Sequence, residues 1–453
     1  MLCIKGGRLV TPAGIYERDL WIEGEKIVSG ENAGGRIEVY DASGCLVFPG
    51  FIDAHTHFEM VSGVTVTADD FPSGTAAALA GGTTCILDFA TQDRGGTLSG
   101  ALDRWFRLAE GRSCCDFGFH MAVTDWSPSA RKELADMASR GVTSFKAYMA
   151  YDALRLTDEQ LLELLASARE LGCITGVHCE LGEEVNRRVR AELSAGHTQV
   201  KYHPLSRPNE VEGGAIRRLM ELALESGAPV WVVHLSTREG MEEIRAAREK
   251  GVKVLVETCP QYLTLTEEVY IKPGFEGAKY VCSPPIRSAK DKDELWSAIM
   301  GGEVDIISTD HCSYNFRGQK ELGREDFSKI PNGLPGVEHR PALIWTYGVR
   351  RGKITPEGMA ALLSENPARA FGMYPRKGAM EPGSDADVVV WDPDFRGKLT
   401  AKEQLQKADY SPWEGLELEG RAKAVFLRGE LCAENGKIIK RPWGRYVSRR
   451  AAW

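Results

Sequence analysis

The sequence predicts an α/β protein built on a (β/α)8 barrel of the TIM type, with a smaller β-sandwich module formed by the N- and C-terminal segments. Two observations predict this architecture. Strand-like and helix-like patterns alternate eight times through the middle of the chain, which favours a closed parallel barrel. Short strand patterns with turn signals occur at both ends of the chain. Because a lone hairpin is marginal in water, we expect the two ends to combine.

These patterns divide the 453-residue chain into four segments. Residues 1–48 form the first part of the sandwich, 49–375 the barrel, 376–440 the second part of the sandwich, and 441–453 a C-terminal tail. A chain of this length suits one large barrel with a smaller module. For the basic residues near the C-terminus we expect a solvated tail or a subunit contact; they are Lys440, Arg441, Arg445, Arg449 and Arg450.

The barrel strands are predicted from apolar runs that are separated by helical patterns. The runs cover residues 46–54, 83–90, 115–123, 142–149, 173–180, 229–236, 252–259 and 304–310. Among the helical patterns, Thr157 followed by Gln160 predicts a capping box before an amphipathic run that begins at Leu161. Residues 213–226 and 238–250 predict two further helices.

Composition excludes several classes of function. The chain has 43% hydrophobic and 26% charged residues and a net charge of -8, so no basic footprint for nucleic acid is present. No signal peptide opens the chain and no apolar run is long enough to span a bilayer, so we expect no membrane partner. Eleven cysteines without framework spacing predict reduced thiols in a cytoplasmic protein.

The first candidate ligands are His55 and His57, in the segment 50–57 that follows an apolar run. Side chains two apart on a strand point to the same face, so both imidazoles are aimed at one point. Neutral imidazole is a good ligand for metals such as zinc. A strand-borne His-x-His pair therefore predicts the beginning of a metal site.

Four more strands carry polar residues where a barrel places its chemistry, at or near the strand ends. These residues are Lys146, His178, His234 and Asp310. Because the active site of a (β/α)8 barrel lies at the C-terminal ends of its strands, we expect these side chains to converge with the histidine pair. The other five histidines receive no ligand role.

At these positions the chain resembles the metal-dependent amidohydrolase superfamily, and closely its hydantoinase/dihydropyrimidinase branch of cyclic amidases. The resemblance runs over nearly the whole chain. It is most specific at residues 50–57, 74–84, 144–151, 201–208, 257–262, 282–287 and 331–336. One departure is Cys179-Glu180-Leu181, where the family often has Ala-Glu-Asn. We expect this change to alter the pocket wall without touching a ligand.

The resemblance implies two zinc ions per subunit, although other divalent metals remain open. His55 and His57 would bind the first ion together with Asp310. His178 and His234 would bind the second. Lys146 would be N6-carboxylated by CO₂ to a carbamate that bridges both ions. The chemistry is sensible, because burial lowers a lysine pKa and frees the amine to take up CO₂.

The same resemblance implies a mechanism. A metal-bridging hydroxide would attack the ring amide of a hydantoin or dihydropyrimidine and give an N-carbamoyl amino acid. Asp310 would take the proton and return it to the leaving nitrogen. Tyr151 would donate a hydrogen bond to the oxyanion. Main-chain groups of Ser283 and Asn332 would bind the imide edge of the ring.

An apolar lid over the ring substituent is predicted from two loops. Its residues are Phe58, Met60, Val61, Val64 and Leu154. Such a lid favours small or aromatic substituents over strongly charged rings.

Three alternative functions fit the sequence less well. A dihydroorotase typically has an arginine shortly after the His-x-His pair, but here Phe58-Glu59-Met60 stands at that place. An allantoinase is expected to have a more polar lid. A non-enzymatic assembly protein of the same fold is disfavoured because all six ligand positions are filled. The family usually forms homotetramers. The ring substituent, its stereochemistry, the choice between hydantoin and dihydropyrimidine, the metal and the oligomeric state are left open.

Overall fold

The computed structural model describes residues 1–30, 36–441 and 444–453. The parts of the predicted N-terminal segment at 31–35 and of the predicted tail at 442–443 lie outside these residues. The described N-terminal segment contains the strands β1 (Leu2–Lys5), β2 (Arg8–Thr11), β3 (Gly14–Glu17), β4 (Leu20–Glu23), β5 (Lys26–Val28), β6 (Glu38–Asp41) and β7 (Leu46–Pro49).

The middle of the chain forms an eight-stranded parallel sheet whose strands follow one another in sequence order. The strands are β8 (Phe51–Thr56), β11 (Thr83–Thr91), β12 (Asp116–Ala122), β13 (Ser144–Tyr148), β14 (Ile174–His178), β15 (Val230–Val232), β16 (Val254–Thr258) and β17 (Ile306–Ile307). The small hairpin β9 (Val61–Ser62) and β10 (Thr65–Val66) follows β8. A bridge between Thr56 and His311 joins the two edges of the sheet. The predicted barrel is therefore confirmed.

Most helices connect successive barrel strands, and the last three follow β17. The helices are α1 (Phe71–Ala80), α2 (Leu98–Ala109), α3 (Pro128–Ser139), α4 (Asp158–Glu170), α5 (Gly182–Ser194), α6 (Tyr202–Ser206), α7 (Asn209–Ser226), α8 (Arg238–Glu249), α9 (Pro260–Thr264), α10 (Ala289–Met300), α11 (Arg340–Ile344), α12 (Pro356–Ala360) and α13 (Asn366–Ala370). The capping box predicted for α4 is present, because Thr157 Oγ1 accepts from Gln160 N and Gln160 Oε1 accepts from Thr157 N.

The C-terminal strands complete the sandwich. They are β18 (Val388–Lys398), β19 (Glu417–Leu427), β20 (Glu430–Glu434) and β21 (Lys437–Ile438). In the described chain these strands join β7, β2 and β3 in a seven-stranded sheet, while β5, β4, β1 and β6 form a second sheet. Ile4 and Ile22 of the second sheet share a buried core with Val388, Val390 and Phe426 of the first. The prediction that the two ends of the chain form one sandwich is confirmed.

The sequence predicts a single strand over residues 46–54, but the structure divides it at Gly50. β7 pairs with β18 in the sandwich, whereas β8 pairs with β11 in the barrel. A side chain at Gly50 would collide with Thr84 and Asp387. The chain therefore passes from one sheet to the other at the one residue type that leaves enough room.

Of the basic residues near the C-terminus, Lys440, Arg441, Arg445 and Arg450 are exposed, in line with the predicted solvated tail, but the backbone of the tail packs on the barrel. Tyr446 pairs with Phe117 in a bridge, and the carbonyl of Gly141 accepts from Arg449 N (3.2 Å). The guanidinium of Arg449 is buried and donates to Ser144 Oγ at 2.9 Å. Tail residues thus cover the ends of the barrel strands opposite to the predicted active site. In the described ranges, no helix combines the length and the apolar character needed to cross a bilayer.

Candidate metal centre

The six residues predicted as metal ligands line one cavity of about 830 Å³. They are His55, His57, Lys146, His178, His234 and Asp310. The cavity lies at the carboxyl ends of the barrel strands. β15 ends two residues before His234, and β17 ends three residues before Asp310. Both side chains are therefore carried on backbone that has left the parallel ladder.

The first half of the site contains His55, His57 and Asp310. Oδ1 of Asp310 lies 3.2 Å from Nε2 of His55 and 3.2 Å from Nε2 of His57. The other ring nitrogen of His55, Nδ1, lies 2.7 Å from Oε1 of Glu257. If Glu257 accepts the Nδ1 proton, Nε2 of a neutral His55 directs its lone pair at the Asp310 carboxylate. Two acceptors that face each other at this distance require a proton or a metal cation between them.

The second half contains His178 and His234, whose Nδ1 and Nε2 atoms lie 3.0 Å apart. Nε2 of His178 lies 2.7 Å from Oε2 of Glu180, and Arg207 donates to the same oxygen at 2.6 Å. Burial opposes ionisation, but Arg207 and His178 hold the pKa of Glu180 well below its ordinary value. An anionic Glu180 fixes the proton of His178 on Nε2 and leaves Nδ1 with a lone pair for a metal.

Lys146 is the unusual member of the set. Its side chain is 1% exposed, and within the described chain its Nζ has no hydrogen-bond partner. It lies 5.4 Å from the ring centroid of Phe89 and 5.5 Å from that of Tyr148. A buried polar atom without a partner is costly. Burial lowers the pKa of Lys146 to about 8, which increases the fraction of the neutral, nucleophilic amine.

The electrostatics of the site fit a bound metal. Burial lowers the pKa of His57 to about 4, and it also lowers the pKa values of His178 and His234. Neutral imidazole is the form that binds metals. Burial would also lower the pKa of His55, but Glu257 and Asp310 outweigh it and raise the pKa to about 9. A positive charge is thus favoured at the first half, and the donor set suits divalent ions such as zinc.

Three residues of the cavity have left-handed backbone conformations. The φ angles are 68° for Tyr151, 40° for His234 and 52° for Asp310. For residues with a Cβ this region is sparsely populated and costs about 1–3 kcal/mol. Such conformations persist only where the surrounding structure enforces them. The fold therefore holds these three side chains in orientations that the local sequence would not choose.

The residues predicted to bind substrate also line the cavity; they are Tyr151, Ser283 and Asn332. The ring of Tyr151 lies 5.1 Å from that of His178. Burial raises the pKa of Tyr151 to about 12, against the opposing charge of Arg207. The phenol therefore stays protonated at neutral pH and remains a hydrogen-bond donor.

Four of the five predicted lid residues line the cavity; they are Met60, Val61, Val64 and Leu154. Val61 is 76% exposed and Val64 91% exposed, as expected for the rim of an open site. The prediction is wrong for Phe58, which is fully buried and packs against Phe71. The chain turns inward here because the Phe58 amide donates to Asp88 Oδ2 at 2.9 Å.

Sequence analysis missed the carboxylates that orient the histidines. Glu257 lies in β16, a strand to which no functional residue was assigned. Glu180, which the departure at Cys179 and Leu181 leaves unchanged, contacts the predicted ligand residue His178. Both lie near the carboxyl ends of barrel strands, and this position was the signal available in the sequence. Arg207 follows α6, and only the closed barrel brings it to Glu180.

Known proteins resemble this chain over nearly its full length. The amidohydrolase family profile matches residues 46–432. A D-hydantoinase of Geobacillus stearothermophilus is 42% identical over 451 residues, which cover 98% of this chain and 96% of that relative. A D-phenylhydantoinase of Escherichia coli O9:H4 (strain HS) is 39% identical over 453 residues, which cover 99% of this chain and 98% of the relative.

Solved structures agree with these relatives. The crystal structure of a dihydropyrimidinase from Brevibacillus agri NCHU1002 matches with a TM-score of 0.97 at 41% identity, covering 99% of this chain and 98% of that chain. An L-hydantoinase (dihydropyrimidinase) from Arthrobacter aurescens matches with a TM-score of 0.90 at 28% identity, covering 99% of both chains. The chain therefore belongs to the hydantoinase/dihydropyrimidinase branch of the amidohydrolase family and is a hydrolase of cyclic amides.

Proposed function

We propose that this enzyme uses two zinc ions to hydrolyse the ring amide of hydantoins or dihydropyrimidines to N-carbamoyl amino acids. The observation that carries this proposal is the convergence of four imidazoles, Asp310 and an unpartnered Lys146 in one cavity with an apolar rim. The similarity to a D-hydantoinase and to a dihydropyrimidinase supports the choice of ring.

The donor set divides into two groups. His55, His57 and Asp310 would hold one ion, and His178 and His234 the other. Lys146, carboxylated by CO₂, would supply an anionic bidentate group to both. This assignment accounts for its unpartnered Nζ and for its lowered pKa. When bound, two such ions make a water molecule nucleophilic at neutral pH by lowering its pKa.

Asp310 is placed for proton transfer. Its carboxylate faces the cavity, and burial is outweighed by His55, which holds the pKa of Asp310 well below its ordinary value. In the proposed reaction it accepts a proton from the attacking water and returns it to the leaving ring nitrogen. Tyr151 remains protonated and donates to the carbonyl oxygen as negative charge develops there.

The ring is bound by main chain and by apolar contact. Backbone groups of Ser283 and Asn332 bind the imide edge, which five- and six-membered rings share. The apolar residues Met60, Val61, Val64 and Leu154 cover the ring substituent. Arg207 also lines the cavity, but it donates to Glu180 at 2.6 Å. Its charge is thus balanced by Glu180, which weakens any attraction for a ring carboxylate.

The proposal includes a homotetramer and a cytoplasmic location. The homotetramer follows from the family resemblance, and the cytoplasmic location from the scattered cysteines of the sequence. The cytoplasmic location has the further support that all eleven cysteines are buried and unpaired, as expected for a reducing compartment. Size-exclusion chromatography with light scattering would measure the assembly directly.

A substrate panel tests the proposed function. We expect dihydrouracil and D-5-phenylhydantoin to yield N-carbamoyl products. We expect the D form of the hydantoin to be opened faster than the L form, because this chain is 42% identical to the D-hydantoinase and 28% identical to the L-hydantoinase. Substituent changes of methylene size alter kcat/KM by roughly 10–200-fold. Dihydroorotate should be slower by orders of magnitude, since an unpaired carboxylate against an apolar wall costs several kcal/mol. Preference for dihydroorotate or allantoin would overturn the assignment.

A further inference from the structure

A second buried lysine, Lys320, lies behind the proposed ring-binding loops. It begins a short 3-10 helix (Lys320–Gly323) and its side chain is fully buried. Its Nζ donates to three main-chain carbonyls: Val281 O at 2.7 Å, Pro331 O at 2.6 Å and Gly333 O at 2.8 Å. An ammonium group has three N–H donors, so the three carbonyls use all of them.

These three carbonyls frame the proposed imide-binding groups. Val281 stands two residues before Ser283, and Pro331 and Gly333 stand on either side of Asn332. The two loops also contact each other, because Gly333 N donates to Val281 O at 3.0 Å. Lys320 therefore fixes the orientation of the peptide units next to both loops from a single point.

Burying the Lys320 ammonium among neutral partners has a high cost in folding free energy. The hydrogen-bond partners of Lys320 in the described chain are carbonyl dipoles, and its Nζ also lies 5.7 Å from the ring centroid of Tyr314. None of these partners is a carboxylate. A buried charge without a counterion is expensive, and a well-packed apolar residue is often as stable or more stable. A lysine at this position orients three carbonyls at once, which an apolar side chain cannot do.

The neighbouring residue ties the same helix to the lid. Gln319 Nε2 donates to Thr65 Oγ1 at 2.7 Å and to Val66 O at 2.6 Å. Both acceptors belong to β10, the second strand of the hairpin that carries Val61 and Val64. Two adjacent side chains thus connect the imide-binding loops and the lid to one short segment.

We propose that Lys320 is a positioning residue for substrate binding, which holds the main chain of the Ser283 and Asn332 loops in register with the imide edge of the ring. Gln319 sets the lid over the same ring. The inference rests on the proposed function, because it takes the ring-binding role of the two loops from it. Lys320 itself does not touch the substrate.

The test is the variant Lys320→Met, measured with D-5-phenylhydantoin and dihydrouracil. Loops that bind the ring equally in the ground and transition states contribute to KM. We therefore expect kcat/KM to fall by about 10–100-fold, mainly through KM, while zinc content stays at that of the wild type. Lys279→Met is the matched control. That lysine pairs with Glu276 at 2.6 Å and lies over Phe316, so its loss should leave both constants unchanged.

Several outcomes would overturn the inference. A folded Lys320→Met enzyme with wild-type KM would show that the loops keep their position without the lysine. Loss of zinc in parallel with activity would assign Lys320 to the metal centre instead. If Lys320→Met does not fold, Lys320→Gln, which keeps two donors on a shorter chain, should fold and show a KM above that of the wild type. Failure of both variants to fold would make Lys320 a purely structural residue. A wild-type protein with zinc but without activity on the ring panel would instead refute the proposed function.

Discussion

Two buried clusters in the described part of the chain each bring three potential metal ligands within 4.8 Å of one another. The first consists of His55, His57 and Asp310, in the cavity of the barrel. The second consists of Asp116, Asp385 and Asp387, between the barrel and the sandwich. In the second cluster Lys377 Nζ lies 2.5, 3.0 and 2.6 Å from the three carboxylates. The cation that these carboxylates require is therefore a side chain of the protein.

In the first cluster, no lysine or arginine of the described chain forms an ion pair with Asp310. Glu257 and Asp310 raise the pKa of His55 against the effect of burial, and the nearby Lys146 Nζ has no hydrogen-bond partner in the described structure. Glu257 and Asp310 thus favour positive charge on His55, and Lys146 is a buried amine without an acceptor among the described residues. The comparison teaches that proximity of ligands alone does not distinguish a metal site from a structural ion network. The presence of a lysine paired with the carboxylates does.

The largest expected effect is that of Lys146→Ala. Loss of a residue that supports a metal ligand already costs about 10–100-fold, and Lys146 is proposed as a ligand itself. We expect zinc content to fall below two per subunit and most activity to disappear. Metal analysis and turnover of the same sample check this, and a variant with both ions and wild-type turnover would remove the carbamate from the mechanism.

Asp310→Asn should act on chemistry more than on metal content. An amide cannot shuttle the proton, so we expect kcat to fall by roughly 10²–10⁴-fold, the usual contribution of a positioned acid–base group. Four histidines and Lys146 remain to hold zinc. The measurement is kcat alongside zinc content, and a decrease in kcat that only parallels the loss of zinc would reduce Asp310 to a ligand.

Lys377→Met should show the opposite pattern from Lys146→Ala. Removal of one partner from a buried ion network leaves charges uncompensated and typically costs 3–5 kcal/mol. We expect the free energy of unfolding to fall by about this amount, with zinc content and kcat of the folded protein unchanged. Lys26→Met is the matched control, because Lys26 pairs with Asp385 at 2.7 Å but is 47% exposed. An exposed pair of this kind contributes about 0–1 kcal/mol.

Acidification is expected to lower the free energy of unfolding by a smaller amount. Burial opposes ionisation, but Lys377 and Lys26 hold the pKa of Asp385 at about 2, below its ordinary value of 3.8. Because the folded pKa is depressed, the stabilisation is complete above about pH 4 and is lost as the pH falls towards 2; it amounts to at most about 2 kcal/mol. Metal ligands must be deprotonated, so zinc should dissociate at a higher pH than this window. Unfolding at pH 2–4 that precedes zinc loss would contradict the comparison.

Sequence alone determined the barrel and the residues that line its active end. Alternation along a strand aims His55 and His57 at one point, and the parallel barrel brings the ends of distant strands together. These rules depend only on local period and strand order, so they place Lys146, His178, His234 and Asp310 in the same cavity. The resemblance to cyclic amidases added roles for Tyr151, Ser283 and Asn332.

Only the tertiary structure decided which buried polar groups have a hydrogen-bond or ion-pair partner. Lys377 and its partner Asp116 are 261 residues apart in sequence, and Arg449 reaches Ser144 across 305 residues. The inward turn of Phe58 depends on Asp88, which the next barrel strand supplies. Hydrogen bonds and ion pairs are short-ranged, and their partners here come from segments that meet only in the closed fold. A periodic pattern indicates which face of a strand or helix a side chain occupies, but it does not indicate which residue lies opposite that side chain in the fold.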